Sequence, residues 1–89
     1  MFRFDLILYG GLVHLDLPDG KHVDDDGDVV YVKNKLVHND DGPAIIWDGD
    51  PTRRAWYLAG EKYTSDEFIE KQFKDKPAEA TLHRLKWLV

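Results

Sequence analysis

No cysteine occurs among the 89 residues, which excludes a disulfide framework and any zinc site built on thiolates. A chain without cysteine suits a reducing compartment, and the cytoplasm is the expected location. No apolar run approaches the roughly 20 residues that a membrane-spanning helix needs, so no membrane contact is expected. The start, Met1-Phe2-Arg3-Phe4-Asp5, places an acid where a secretory signal would carry its apolar stretch. Glutamate is missing from the first fifty residues: eleven acids there are all Asp, and against four Lys or Arg they leave −7. Residues 51–89 hold eight basic residues against six acids, which leaves +2, and four of those six are Glu. Asp is turn chemistry and Glu is helix chemistry, so composition alone orders the chain as β first and α second. An acidic first half repels phosphates, and direct nucleic-acid binding is not expected. Also absent are a nucleophile motif and a glycine-rich phosphate loop. The chain is therefore not expected to be an enzyme or to hold a cofactor.

What is present is aromatic weight. Three Trp, four Tyr and four Phe in so short a chain supply large apolar side chains to offset backbone entropy, which argues against disorder. Residues 1–89 read as one domain, with β-hairpin repeats over 1–63 and a helical tail over 64–89. The expected fold class is α+β: an antiparallel β-meander of about six short strands in hairpin repeats, followed by two C-terminal helices packed on it.

The strands follow from alternation between turn signals. Phe2, Phe4, Leu6 and Leu8 share one face of a first strand, which Gly10-Gly11 turns into Leu12 to Leu17. Pro18-Asp19-Gly20-Lys21 reads as a reverse turn and Asp24-Asp25-Asp26-Gly27-Asp28 as an acidic loop. Asp28 to Lys33 is a strand that Asn34-Lys35 turns back into Leu36-Val37-His38. The most patterned stretch comes next. In His38-Asn39-Asp40-Asp41-Gly42-Pro43 a turn-forming run ends in Gly-Pro and delivers the chain into a strand from Ala44 to Trp47. Arg53 to Leu58 is a further strand. The triplet Leu12-Val13-His14 recurs as Leu36-Val37-His38, each after a short turn. Leu58 to Tyr63 is a weaker third copy, in which Gly60 is matched to Asn34 and Gly10.

The tail changes period. Thr64-Ser65-Asp66-Glu67 is a capping box, and Tyr63 with Phe68 makes a hydrophobic staple. Phe68, Ile69, Gln72 and Phe73 form the stripe of a first helix. Pro77 suits the first turn of a second. There, Ala78, Leu82, Leu85 and Val89 fall on one face at helical spacing. Trp87 lies off that stripe, and it either widens the apolar face, packs on the sheet or belongs to a partner surface.

Several of these residues together resemble a known repeat. They are His38-Asn39-Asp40-Asp41-Gly42-Pro43-Ala44, then Trp47-Asp48-Gly49, Trp56-Tyr57-Leu58 and Gly60-Glu61-Lys62. The series is similar to the MORN-like hairpin repeats of bacteriophage and giant-virus proteins. There a His-Arg-x-Asp-Gly-Pro-Ala run, a strand and Trp-Tyr-x-x-Gly-Lys recur. The resemblance covers residues 34–70 well and 8–33 loosely. Asn39 stands where the repeat has Arg, Tyr63-Thr64 stands where the next His-Arg would begin, and the first copy lacks Gly-Pro-Ala. The resemblance implies a hairpin-repeat fold and a viral source, hence the host cytoplasm as its location. It implies no catalytic residue, because the motif consists of turn and packing residues.

The remaining candidates are weighed by their chemistry. His38, Asp41, Gly42 and Pro43 read as a structural turn. A two-histidine metal site from His14 and His38 with Asp16 or Asp40 is the sharper alternative. Asp24, Asp26 and Asp28 have the spacing that opens a calcium loop, but Val29 stands where the sharp-turn glycine belongs and Lys35 where the bidentate Glu belongs. A solvated acidic loop is the better reading, so no metal is expected. Exposed Trp and Tyr are enriched at interfaces, which makes Trp47, Trp56 and Tyr57 candidate partner-binding residues. Asp24, Asp25, Asp26 and Asp28 are the acidic counterpart. The expected function is protein–protein binding by a small viral protein that inhibits or modulates a host enzyme or defence factor. The alternatives are an acidic nucleic-acid mimic that occupies a basic cleft, a metal-binding protein or enzyme, and a homo-oligomer formed through the edge from Phe2 to Tyr9.

Overall fold

The computed structural model describes residues 4–47, 50 and 52–87. The chain folds into an eight-stranded antiparallel sheet followed by two helices. The strands are β1 (Ile7–Tyr9), β2 (Leu12–His14), β3 (Gly20–Val23), β4 (Val29–Lys33), β5 (Leu36–Val37), β6 (Ile45–Ile46), β7 (Arg54–Leu58) and β8 (Glu61–Tyr63). The helices are α1 (Ser65–Gln72) and α2 (Pro77–Trp87). Neither is long and apolar enough to cross a membrane. The fold class is the expected one, with two more strands than the sequence suggested.

Three hairpins, β1–β2, β4–β5 and β7–β8, share one turn geometry. Both central residues take positive φ: Gly10 and Gly11 at 63° and 78°, Asn34 and Lys35 at 54° and 63°, Ala59 and Gly60 at 48° and 80°. A two-residue loop of that kind matches the right-handed twist of the strands it joins. The third hairpin therefore aligns Ala59, not Gly60, with Asn34 and Gly10. Gly60 is still required. Its N–H donates to Val37 O and its carbonyl accepts from Val13 N–H. An added Cβ would lie 3.0 Å from Leu12 Cβ and 3.1 Å from Val13 N. The last turn is thus wedged against the first two hairpins.

The reverse turn expected at residues 18–21 is instead the entrance to β3, which pairs with β4 from Gly20↔Val32 to Val23↔Val29. The acidic loop is the connection of that hairpin. The strand order is β1-β2-β5-β4-β6-β7-β8, with β3 on β4 beside this path. β5 and β6 pair with opposite ends of β4, through Lys33↔Leu36 and Val29↔Ile46. Between them Tyr31 closes the gap: its carbonyl accepts from His38 N–H and its N–H donates to Ala44 O. Residues 39–43 therefore leave the sheet and return to it.

Two apolar clusters result. Leu15, Val30, Val32, Val37, Ala44 and Ile45 form the first, with Phe4, Leu6, Val13, Leu17, Trp47 and Tyr57 packed against it. Trp56, Leu58 and Phe68 form the second, under α1, with Tyr63, Phe73 and Trp87 at its margin. β7 serves both, because alternate residues point to opposite faces. Trp56 and Leu58 belong to the helical cluster, and Tyr57 packs on the other. The face of β7 turned away from the helices is thus partly covered by the sheet cluster. The expected alternation through β1 also breaks. Leu6 N–H bonds Phe4 O in a tight turn, and both side chains pack on the core. Leu8 is left 74% exposed. Phe2 and Val89 lie outside the described residues.

Candidate functional site

The stretch from His38 to Pro43 is a junction. Asn39 clamps it: its N–H donates to Tyr57 O, its Nδ2 to Pro43 O at 3.0 Å, and its Oδ1 accepts from Asp41 N–H at 3.0 Å. His38 Nδ1 accepts from Ala59 N–H at 2.8 Å, which anchors the turn between β7 and β8. That bond fixes the proton on Nε2, which donates to Asp40 Oδ1 at 2.9 Å. The His38 hydrogen bond holds the Asp40 carboxyl below its ordinary value of 3.8, against a weaker opposing effect of burial. Gln72 at the end of α1 donates to the same oxygen and to Asp40 O. Gly42 lies under the Trp87 indole of α2, where an added Cβ would sit 3.3 Å from Nε1. Pro43 and Gly42 are buried, and Asp41 is exposed.

A His–Asp pair is the geometry of a general base, but here both ring nitrogens are engaged. A base needs a nitrogen lone pair facing substrate, and the Nδ1 lone pair of His38 is taken by the Ala59 amide. His14 stays apart from this pair, with Nε2 against Tyr9 O at 3.3 Å. The two histidines share neither a carboxylate nor a common ligand position among the described residues.

Asp24, Asp26 and Asp28 are brought together, each offering a carboxylate oxygen within 4.8 Å of the others. Their convergence has a structural cause. Asp24 Oδ1 accepts from the N–H groups of Asp26 and Asp28, both at 2.9 Å, in an Asx-turn that closes the β3–β4 connection. Asp28 is fully buried, whereas Asp25 and Asp26 are exposed. Half of the acidic run therefore points into the fold and away from a partner.

The aromatic candidates divide. Trp56 is 7% exposed and donates its Nε1–H to His83 Nε2 at 3.2 Å. It is an interior residue, because β7 carries helices on the face that holds it. Trp47 and Tyr57 are half-buried against the sheet cluster, and burial pushes the Tyr57 hydroxyl above its ordinary value of 10.0. None of the three forms an exposed aromatic patch.

Sequence reasoning missed one feature and understated another. One is His83, the buried residue of α2. Its imidazole lies 5.4 Å from the rings of both Phe68 and Phe73, and burial drives it below its ordinary value of 6.5. Trp56 can only donate, so His83 accepts through Nε2 and carries its proton on Nδ1, which is buried with no hydrogen-bond partner among the described residues. A cavity of about 240 Å³ adjoins it, lined by Asp41, Phe73, Leu82, His83 and Trp87 among others. The other is β1, where Ile7, Leu8 and Tyr9 are 54%, 74% and 77% exposed. Beside it lies a groove of about 520 Å³ lined by Phe4, Asp5, Ile7, Leu15, Asp16 and Leu17. The signal for β1 was present as an uncharged apolar triplet next to Gly-Gly. Its edge was read as open for self-association, but the alternating pattern assigned to the strand did not show that all three side chains are exposed.

Comparison with known proteins brings no further constraint. No protein-family model, no curated protein and no solved structure matches the chain.

Proposed function

We propose that the chain is a protein-binding module that takes up an extended segment of its partner along β1. The observation that carries this reading is the exposure of three consecutive large apolar side chains on the outermost strand. Pairing Tyr9 with Leu12 across a two-residue turn aims the N–H and C=O of Leu8 away from β2. No strand covers that side among the described residues. An added strand would bond to Leu8 and set an apolar side chain in the neighbouring groove, while Asp5 at its rim favours a basic residue. In this reading the module is non-catalytic. The resemblance of residues 34–70 to viral hairpin repeats makes a host enzyme or defence factor the natural target.

Affinity capture of the partner with the full chain tests the reading. Leu8→Pro removes the outward N–H from an exposed position, and Tyr9→Asp places a charge on the apolar edge. Each should reduce capture at least tenfold, and binding should tolerate salt. Capture that survives both changes but is lost on Asp25→Asn with Asp26→Asn, and that weakens steeply with salt, would instead support acidic mimicry.

A further inference from the structure

The apolar stripe of α2 faces the solvent. His83 is the buried residue of this helix, and Trp87 packs beside it at the margin of the helical cluster. Leu82 and Leu85 are 65% and 61% exposed, with Ala78 exposed on the same side. Ala78, Leu82 and Leu85 follow one another at spacings of four and three, the seam of a coiled-coil helix. The residues beside that seam carry charge in a particular order. Glu79 follows Ala78, and Lys86 follows Leu85. Both are exposed, on the same flank of the seam.

We propose that α2 is a self-association surface: two copies of the chain pack their α2 helices antiparallel across a two-fold axis. The seam sets Leu82 of one copy on Leu85 of the other, twice by symmetry. In an antiparallel pair the residues on equivalent flanks meet. Glu79 of each copy then lies about two residues along the axis from Lys86 of the other, roughly 3 Å at 1.5 Å rise per residue. A parallel pair would set like flanking charges at the same height and lose this match. The charge order therefore selects a second copy in antiparallel orientation over an unrelated apolar helix. Existing contacts of the two residues are weak enough to exchange. Glu79 reaches Lys76 at 3.9 Å in an exposed pair, and Lys86 Nζ lies 5.2 Å from the Trp87 ring centre. One 11-residue helix on its copy buries much less than the roughly 1,600 Å² of a standard interface, so the dimer is weak and reversible.

Sedimentation equilibrium of the full chain between about 10 µM and about 1 mM tests the proposal. The expected result is an average mass that rises with concentration toward that of a dimer. Leu85→Glu should remain monomeric throughout with an unchanged melting temperature. Glu79→Lys opposes two lysines at each flank and should weaken association about tenfold. The double exchange Glu79→Lys with Lys86→Glu should restore it to within about threefold of the native chain. A monomer across the whole range overturns the proposal, and so does dimerisation that is unchanged in Leu85→Glu or not restored in the double exchange. Leu8→Pro should leave the dimer intact. If it abolishes the dimer while Leu85→Glu does not, the copies meet through β1 and the α2 assignment fails.

Discussion

The two helices are neighbours in sequence and differ in how they are held. α1 has eight residues, a capping box between Thr64 and Glu67, and two buried apolar side chains, Phe68 and Ile69. α2 has eleven residues, and its buried side chain is a histidine. The shorter helix is fastened by apolar area and by satisfied N-terminal amides. The longer one is fastened by an imidazole that accepts from Trp56 and by an indole laid over Gly42. A buried indole N–H needs an acceptor, and an imidazole supplies one while still stacking on aromatic rings. Helix docking therefore does not always follow the apolar stripe. A polar requirement in the core can turn a helix about its axis and leave the stripe outside.

The largest expected effect breaks the apolar side of this contrast. Phe68→Ala empties the centre of the helical cluster and should cost about 3–5 kcal/mol in denaturant unfolding. The polar side breaks next. His83→Leu keeps the volume but leaves the Trp56 donor buried without an acceptor, which should cost about 1–3 kcal/mol. The same substitution should flatten part of the pH dependence. The fold disfavours protonated His83, so its contribution to stability is complete above the ordinary value of 6.5. As the pH falls below 6.5 the unfolded chain takes up a proton that the folded one refuses. Stability then declines until the lowered folded value is passed. Melting curves of the native chain and His83→Leu at several pH values should lie furthest apart above pH 7 and draw together as the pH falls below 6.5. Thr64→Ala removes the cap from α1 alone and should cost about 1 kcal/mol. Least of all, Leu82→Ala should change monomer stability by no more than about 0.5 kcal/mol, because its side chain is exposed. A larger loss would mean that the stripe of α2 packs on the fold, and the contrast between the helices would disappear.

The chain announces its local structure clearly. Gly10-Gly11 and Asn34-Lys35 form the two hairpin turns expected of them, and Thr64, Glu67 and Pro77 stand at the helix starts expected of them. Each of these depends on neighbours within a few residues, and the chemistry of one turn suffices to specify it. The turn at Ala59-Gly60 was found but shifted by one position, because alanine at positive φ carries no sequence signal. β3 was missed for a similar reason: Gly20-Lys21 looks like a turn, and only pairing with β4 makes it a strand. The acidic run was legible as a loop, but its inward half was not, since the burial of Asp28 depends on the hairpin it closes.

The sequence by itself determined that sheet precedes helix, where the chain turns, and how α1 begins. These are properties of short segments, governed by backbone dihedrals, capping and the chemistry of Asp and Glu. The tertiary structure decided which way each element faces. It placed Trp56 inside, turned Leu82 and Leu85 outward, made His38 to Pro43 a junction that reaches both helices, and left Ile7 to Tyr9 uncovered. Periodicity shows that a helix or strand has two unlike faces. Which face is buried depends on the partner across the gap, and in this protein the deciding partner of α2 is the lone N–H of a tryptophan.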